Sequence, residues 1–83
     1  MKYSQSEAEN VLRIFQNCLK QNITIKKYHT EEFFHVFEIS PVLIDGHFRN
    51  KVKFTDKLVD DYRNPNENLN DVASLIHNCF YGC

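Results

Sequence analysis

The side chains that could do chemistry in this chain are four histidines, His29, His35, His47 and His77, and three cysteines, Cys18, Cys79 and Cys83. A nucleophilic thiol needs a base beside it in a cleft that excludes water. Cys79 with His35 or His77 is the pair the sequence offers. The competing assignment is a small thiol buried on the inner side of a helix, and that is the expectation. His77, Cys79 and Cys83 also place three possible metal ligands within seven residues. Structural zinc takes four ligands, usually in two close pairs, and the second pair is missing. With Gly46 and Gly82 as the only glycines there is no Gly-rich phosphate loop, and neither Gly-x-Ser-x-Gly nor His-Glu-x-x-His occurs. The sequence therefore predicts a protein that is not an enzyme and that holds no metal and no cofactor.

Composition sets the bounds around these residues. Eighty-three residues make one small domain, 1–83, with no room for a second core. Hydrophobic residues at 42% and charged residues at 25% are ordinary globular usage, which argues against disorder. Eleven acidic against ten basic residues give a net charge of −1, so a basic nucleic-acid binder is excluded as a whole-chain property. The stretch MKYSQSEAEN lacks the apolar run of a signal peptide, and no segment is apolar enough to span a membrane. An odd number of cysteines at these spacings matches no disulfide framework. A reduced, cytoplasmic setting without membrane contact is expected. Abundant Asn, Lys and Ile with scarce Ala and Gly suggest an AT-rich bacterial, phage or viral genome, and host cytoplasm if phage-encoded.

The elements that would position these residues follow from periodicity. Ser4-Gln5-Ser6-Glu7 is a capping box. Behind it Ala8, Val11, Leu12, Phe15, Cys18 and Leu19 form an apolar stripe, predicting a helix over about 5–20. From Asn22 the period changes to two, with Ile23 and Ile25 alternating with Thr24 and Lys26, and Tyr28 to Glu31 reads as a polar connection. Phe33 to Ile39 suits a central strand because aromatic and β-branched residues dominate. A short helix capped by Thr30 is the alternative over 30–38. Asp45-Gly46 predicts a two-residue hairpin turn into a third strand with Phe48, Val52 and Phe54 inward. Thr55 caps a helical turn burying Leu58, Val59 and Tyr62. Asn64-Pro65-Asn66-Glu67 starts a last helix whose stripe is Leu69, Val72, Ala73, Ile76 and Phe80, with Gly82 as its stop. The expected fold is a two-layer α+β domain of α-β-β-β-α order, with both helices on one face of a small antiparallel sheet. Phe15, Leu19, Ile25, Val52, Phe54, Val72 and Ile76 should be buried between the layers.

Strict alternation then assigns the opposite face. It would carry Thr24, Lys26 and Tyr28, then Phe34 and Val36 (or Phe33, His35 and Phe37 in the other register), then His47, Arg49, Lys51 and Lys53. Aromatic surface rimmed by cations marks a binding site. A second feature is acidic: between Thr55 and Ser74 five carboxylates face two cations, a local balance of −3. Glu67 and Asp71 suit a helix N-terminus, whereas Asp60 and Asp61 have no such local reason.

The α-β-β-β-α order resembles, in topology and length over about residues 5–80, the double-stranded-RNA-binding domain. That family grips phosphates with a lysine-rich start to its second helix. Here the matching stretch, Asn64 to Asp71, holds no cation, so the likeness stops at topology. The function expected is a small, non-enzymatic protein-binding module, of the kind a phage or mobile element uses to inhibit or modulate a host enzyme or defence complex. Two alternatives stand beside it: a nucleic-acid module using the basic and aromatic sheet face, and a homodimer made through that face.

Overall fold

Glu7 reaches back to accept the Ser4 amide at 3.3 Å and the Ser4 hydroxyl at 3.1 Å, and α1 (Gln5–Leu19) begins there as the sequence predicts. Lys20 closes it in the left-handed region at φ 57°, its amide donating to the Gln16 carbonyl. In the computed structural model, which describes residues 2–63 and 72–83, the chain continues through β1 (Ile25–Glu31), β2 (Phe34–Ile44), β3 (His47–Thr55), α2 (Asp56–Arg63), α3 (Val72–Cys79) and β4 (Phe80–Tyr81). The strands form one antiparallel sheet in the order β1-β2-β3-β4, and the helices pack on one face of it. This is the expected two-layer α+β domain, with a fourth strand added. The start signal at 64–67, Leu69 and Asp71 lie outside the described residues.

Ala8, Val11, Leu12 and Phe15 from α1 meet Phe37, Ile39, Val52 and Phe54 from the sheet, Val59 and Tyr62 from α2, and Val72, Ile76 and Phe80 from the C-terminal segment. Of the seven residues expected to be buried, Phe15, Val52, Phe54, Val72 and Ile76 are, while Leu19 and Ile25 are half-buried at the rim of the core. Cys18, counted with the apolar stripe, is exposed; the line from Phe15 to Leu19 carries the contact and Cys18 sits beside it. Ala73 is likewise exposed.

Two departures concern where strands begin and end. First, β1 runs on to Glu31, where a polar connection was expected, and the turn is Glu32-Phe33, with Glu32 at φ 49°. The central strand expected over Phe33–Ile39 is present from Phe34 onward, and the helical alternative over 30–38 is not. Second, the last helix ends at Cys79 rather than at Gly82, and Phe80 and Tyr81 pair with Val52 and Lys51. Phe80 is buried as the sequence predicts, and as a strand residue it satisfies peptide groups on the β3 edge.

The hairpin turn is as the sequence predicts. Asp45 at φ 51° and Gly46 at φ 79° both have positive φ, the backbone of the two-residue turn whose twist matches the flanking strands. No atom lies within 4 Å of where a Gly46 side chain would begin, so a substitution there meets only backbone strain. Gly46→Val is expected to cost about 1–2 kcal/mol, a left-handed β-branched residue's penalty, in urea denaturation. A loss under about 0.3 kcal/mol would contradict that backbone assignment.

Candidate functional site

The helices cover one face of the sheet and leave the other open. Cross-strand register arranges that outer face in rows. Glu31, Phe34 and Thr55 form one; His29, Val36 and Lys53 the next; Lys27, Glu38, Lys51 and Tyr81 a third. Towards the hairpin, Leu43 and Phe48 stand opposite each other and are 44% and 56% exposed. They form an exposed apolar cross-strand pair on the same face as the rows of alternating charge.

Two bulges decide which residues reach this face. Between Ile25 and Lys27 β1 advances two residues while β2 advances one, so Lys26 is the extra residue and the alternation flips. Lys27, not Lys26, joins the outer row, and Lys26 is exposed at the bulge on the sheet edge. Tyr28, expected on the open face, turns inward to stand beside Phe37 with ring centroids 4.8 Å apart. Between Glu38 and Val42 three residues of β2, Ile39 to Pro41, stand against Asn50 alone. Beyond that point Val42 and Ile44 face the core, and their partners Arg49 and His47 come with them. Arg49 and His47 line a cleft of about 160 Å³ with Ile44, Ile76, His77 and Phe80 on the helical side, where Arg49 donates to the Gly82 carbonyl. Phe48, expected in the core, is turned out by the same shift. Of the four residues expected in a basic row on β3, only Lys51 and Lys53 remain on the open face.

Of the two central residues expected on the open face, Phe34 is half-buried and Val36 fully buried although none of the described helices lies over it. Lys53 explains part of this. Its ammonium sits 5.1 Å from the Phe34 ring centre and 5.3 Å from that of Tyr81, so its stem lies across the face. The Tyr81 hydroxyl is pushed above the ordinary phenol range, first by burial and then by the charges of Glu31 and Glu38. Carboxylates are thus mixed among the lysines.

The acidic residues of α2 divide. Asp60 accepts a hydrogen bond from the Tyr3 hydroxyl, which gives it the local structural reason the sequence did not reveal, and Asp61 is exposed.

The potential chemistry resolves into structure. His35 has no exposed surface; its Nδ1 meets the Tyr28 hydroxyl at 2.8 Å and its Nε2 meets Asp56 at 2.5 Å. A proton on Nε2 and the hydroxyl proton of Tyr28 aimed at Nδ1 satisfy the whole ring. Partial burial tends to raise the Asp56 carboxyl, but hydrogen bonds from the Lys2 amide, His35 and the Tyr3 amide outweigh it and hold it below the ordinary carboxylate range. Burial, and then the Asp56 charge, raises the Tyr28 hydroxyl. This chain of contacts leaves one legible trace in the sequence, an aspartate directly after the helix-capping Thr55. Cys79 is buried as expected and its thiol is pushed up to about 11 by that burial. His77 lies 3.2 Å from Asp45 and His35 is engaged with Asp56, so each histidine proposed to activate Cys79 meets a carboxylate. Among the described residues no group of three or more His, Cys, Asp or Glu side chains is placed to hold a metal ion, and no helix is long and apolar enough to cross a membrane.

The chain matches no family model, no curated protein and no solved structure.

Proposed function

We propose that this chain is a small, non-enzymatic protein-binding module whose outer sheet face docks a heterologous protein, in the manner of a phage or mobile-element product acting on a host enzyme or complex. The observation that carries the proposal is the exposed Leu43–Phe48 pair on an open sheet face next to the Lys27–Glu38–Lys51 row. A desolvated apolar centre with charges of both signs at its rim is the ordinary anatomy of a protein interface. A polyanion would be repelled by Glu31 and Glu38 and would meet fewer cations than strict alternation suggests, since Arg49 and His47 lie on the helical side.

Two measurements test this. In the native host, wild-type protein should capture a partner that a Phe48→Asp variant with unchanged circular dichroism does not. Separately, single-stranded DNA, duplex DNA and an RNA hairpin should show no measurable binding at low salt. Micromolar binding that weakens with salt, at a log–log slope of about −0.7 per single-strand phosphate, and that disappears in Lys51→Glu/Lys53→Glu would replace the protein partner by a nucleic acid.

A further inference from the structure

Among the described residues β1 is an edge of the sheet, with β2 as its one strand neighbour. Past the bulge at Lys26, residues 27–31 pair with 38–34 without a break. Lys27, His29, Thr30 and Glu31 are exposed, and the segment contains no proline. A regular edge strand with outward-facing peptide groups readily accepts another strand.

Charge names the strand that fits. On the outer face Lys27 and Glu31 stand two residues to either side of His29. Consider an antiparallel second copy related by a two-fold axis through His29. Lys27 of each copy then stands opposite Glu31 of the other, and Tyr28 stands opposite Thr30. One contact yields two ion pairs, which is the economy of an isologous interface. Neighbouring axes lose this. An axis through Lys27 opposes that lysine to itself. One through Tyr28 opposes Lys27 to His29 and the half-buried Ile25 to Glu31. One through Thr30 opposes Lys27 to Phe33, which is already in the turn. Like charges directly opposite on a sheet are unfavourable and opposite charges favourable, so side-chain charge selects the first register. Glu31 also meets His29 Nε2 at 2.8 Å on the same strand, which keeps its carboxylate on the outer face beside the axis.

We propose that the chain self-associates as a two-fold dimer through its β1 edges, held in register by reciprocal Lys27–Glu31 pairs. The two four-stranded sheets then form one continuous eight-stranded sheet. On its outer face the charges run Lys51, Glu38, Lys27 and then Glu31 of the second copy, alternating in sign across the junction. This assembly uses the sheet edge and does not depend on a heterologous partner at Leu43 and Phe48.

Sedimentation velocity from low micromolar to millimolar concentration reads the assembly directly. Wild-type protein should pass from monomer to dimer. Lys27→Glu places a glutamate opposite Glu31, and Glu31→Lys places a lysine opposite Lys27, so each variant alone should show a dissociation constant raised at least tenfold. Mixed in equal amounts, the two variants present opposite charges at both pairs and should form a heterodimer; the double variant Lys27→Glu/Glu31→Lys should dimerise alone. Both positions are exposed, so each variant should remain folded, with circular dichroism as the check. Wild-type protein that stays monomeric at millimolar concentration would overturn the proposal. So would single variants that dimerise like wild type, or folded variants whose mixture stays monomeric.

Discussion

Truncating Phe15 to alanine is expected to lower the free energy of unfolding by about 3–5 kcal/mol, the usual cost of removing a buried aromatic ring from a packed core. Phe15 has no exposed surface. From the middle of α1 its ring meets three other elements: Phe54 of β3 with centroids 6.3 Å apart, Tyr62 of α2 at 6.4 Å and Phe80 of β4 at 5.4 Å. The first two are edge-on contacts, the geometry aromatic quadrupoles favour. Removing the ring therefore loosens α1 against α2 and two strands of the sheet at once. A domain of this size has about 4–12 kcal/mol of total stability, so the variant should be largely unfolded at physiological temperature or close to it. Urea denaturation followed by far-ultraviolet circular dichroism measures the loss. A cost below about 1.5 kcal/mol would mean that the site collapses around the missing ring and that Phe15 is not the centre of the core.

Helices were legible here because their signals are local. Ser4 with Glu7 fixes the start of α1, Thr55 precedes α2, and the spacing of Val11, Leu12 and Phe15 identifies the buried side. The Asp45-Gly46 turn was legible for the same reason, since two adjacent residues carry its whole conformational requirement. The open face was only partly legible, because a strand's faces are assigned by counting in twos and one inserted residue reverses everything beyond it. Lys26 is such a residue, and the step at Ile39 to Pro41 is another. Tyr28, Phe48, Arg49 and His47 changed sides for that reason, whereas Phe34, Lys51 and Lys53 lie on the stretch between the two irregularities and kept the expected side. Tyr28 offered a warning. A tyrosine two residues beyond a bulged position buries a ring when a polar partner for its hydroxyl is available, and His35 is seven residues away in sequence but adjacent in space.

Replacing Asp56 by alanine should cost about 2–3 kcal/mol, because it strands a donor that has no route to water. His35 is fully buried and its Nε2 has Asp56 as its partner, while the other carboxylate oxygen accepts the Lys2 amide at 2.7 Å. Asp56 is the first residue of α2, where the helix N-terminus favours a negative charge. One side chain therefore ties the N-terminal segment, β2 and the start of α2 together. Asp56→Asn keeps an acceptor oxygen for His35 and should cost less than alanine. Removing the histidine as well should recover part of the loss, so His35→Leu/Asp56→Ala is expected to be more stable than the sum of the two single costs implies. The pH dependence has a definite sign. The carboxyl is held below its unfolded value of 3.8, so its contribution is fully present above that pH and is lost as pH falls through the lower folded value. Wild-type stability should thus decline on acidification below about pH 4, and more steeply than that of Asp56→Asn, which has no carboxyl to protonate at this site. Chemical denaturation of the two proteins across that range decides the matter: parallel curves would mean that the Asp56 charge does not hold the network together.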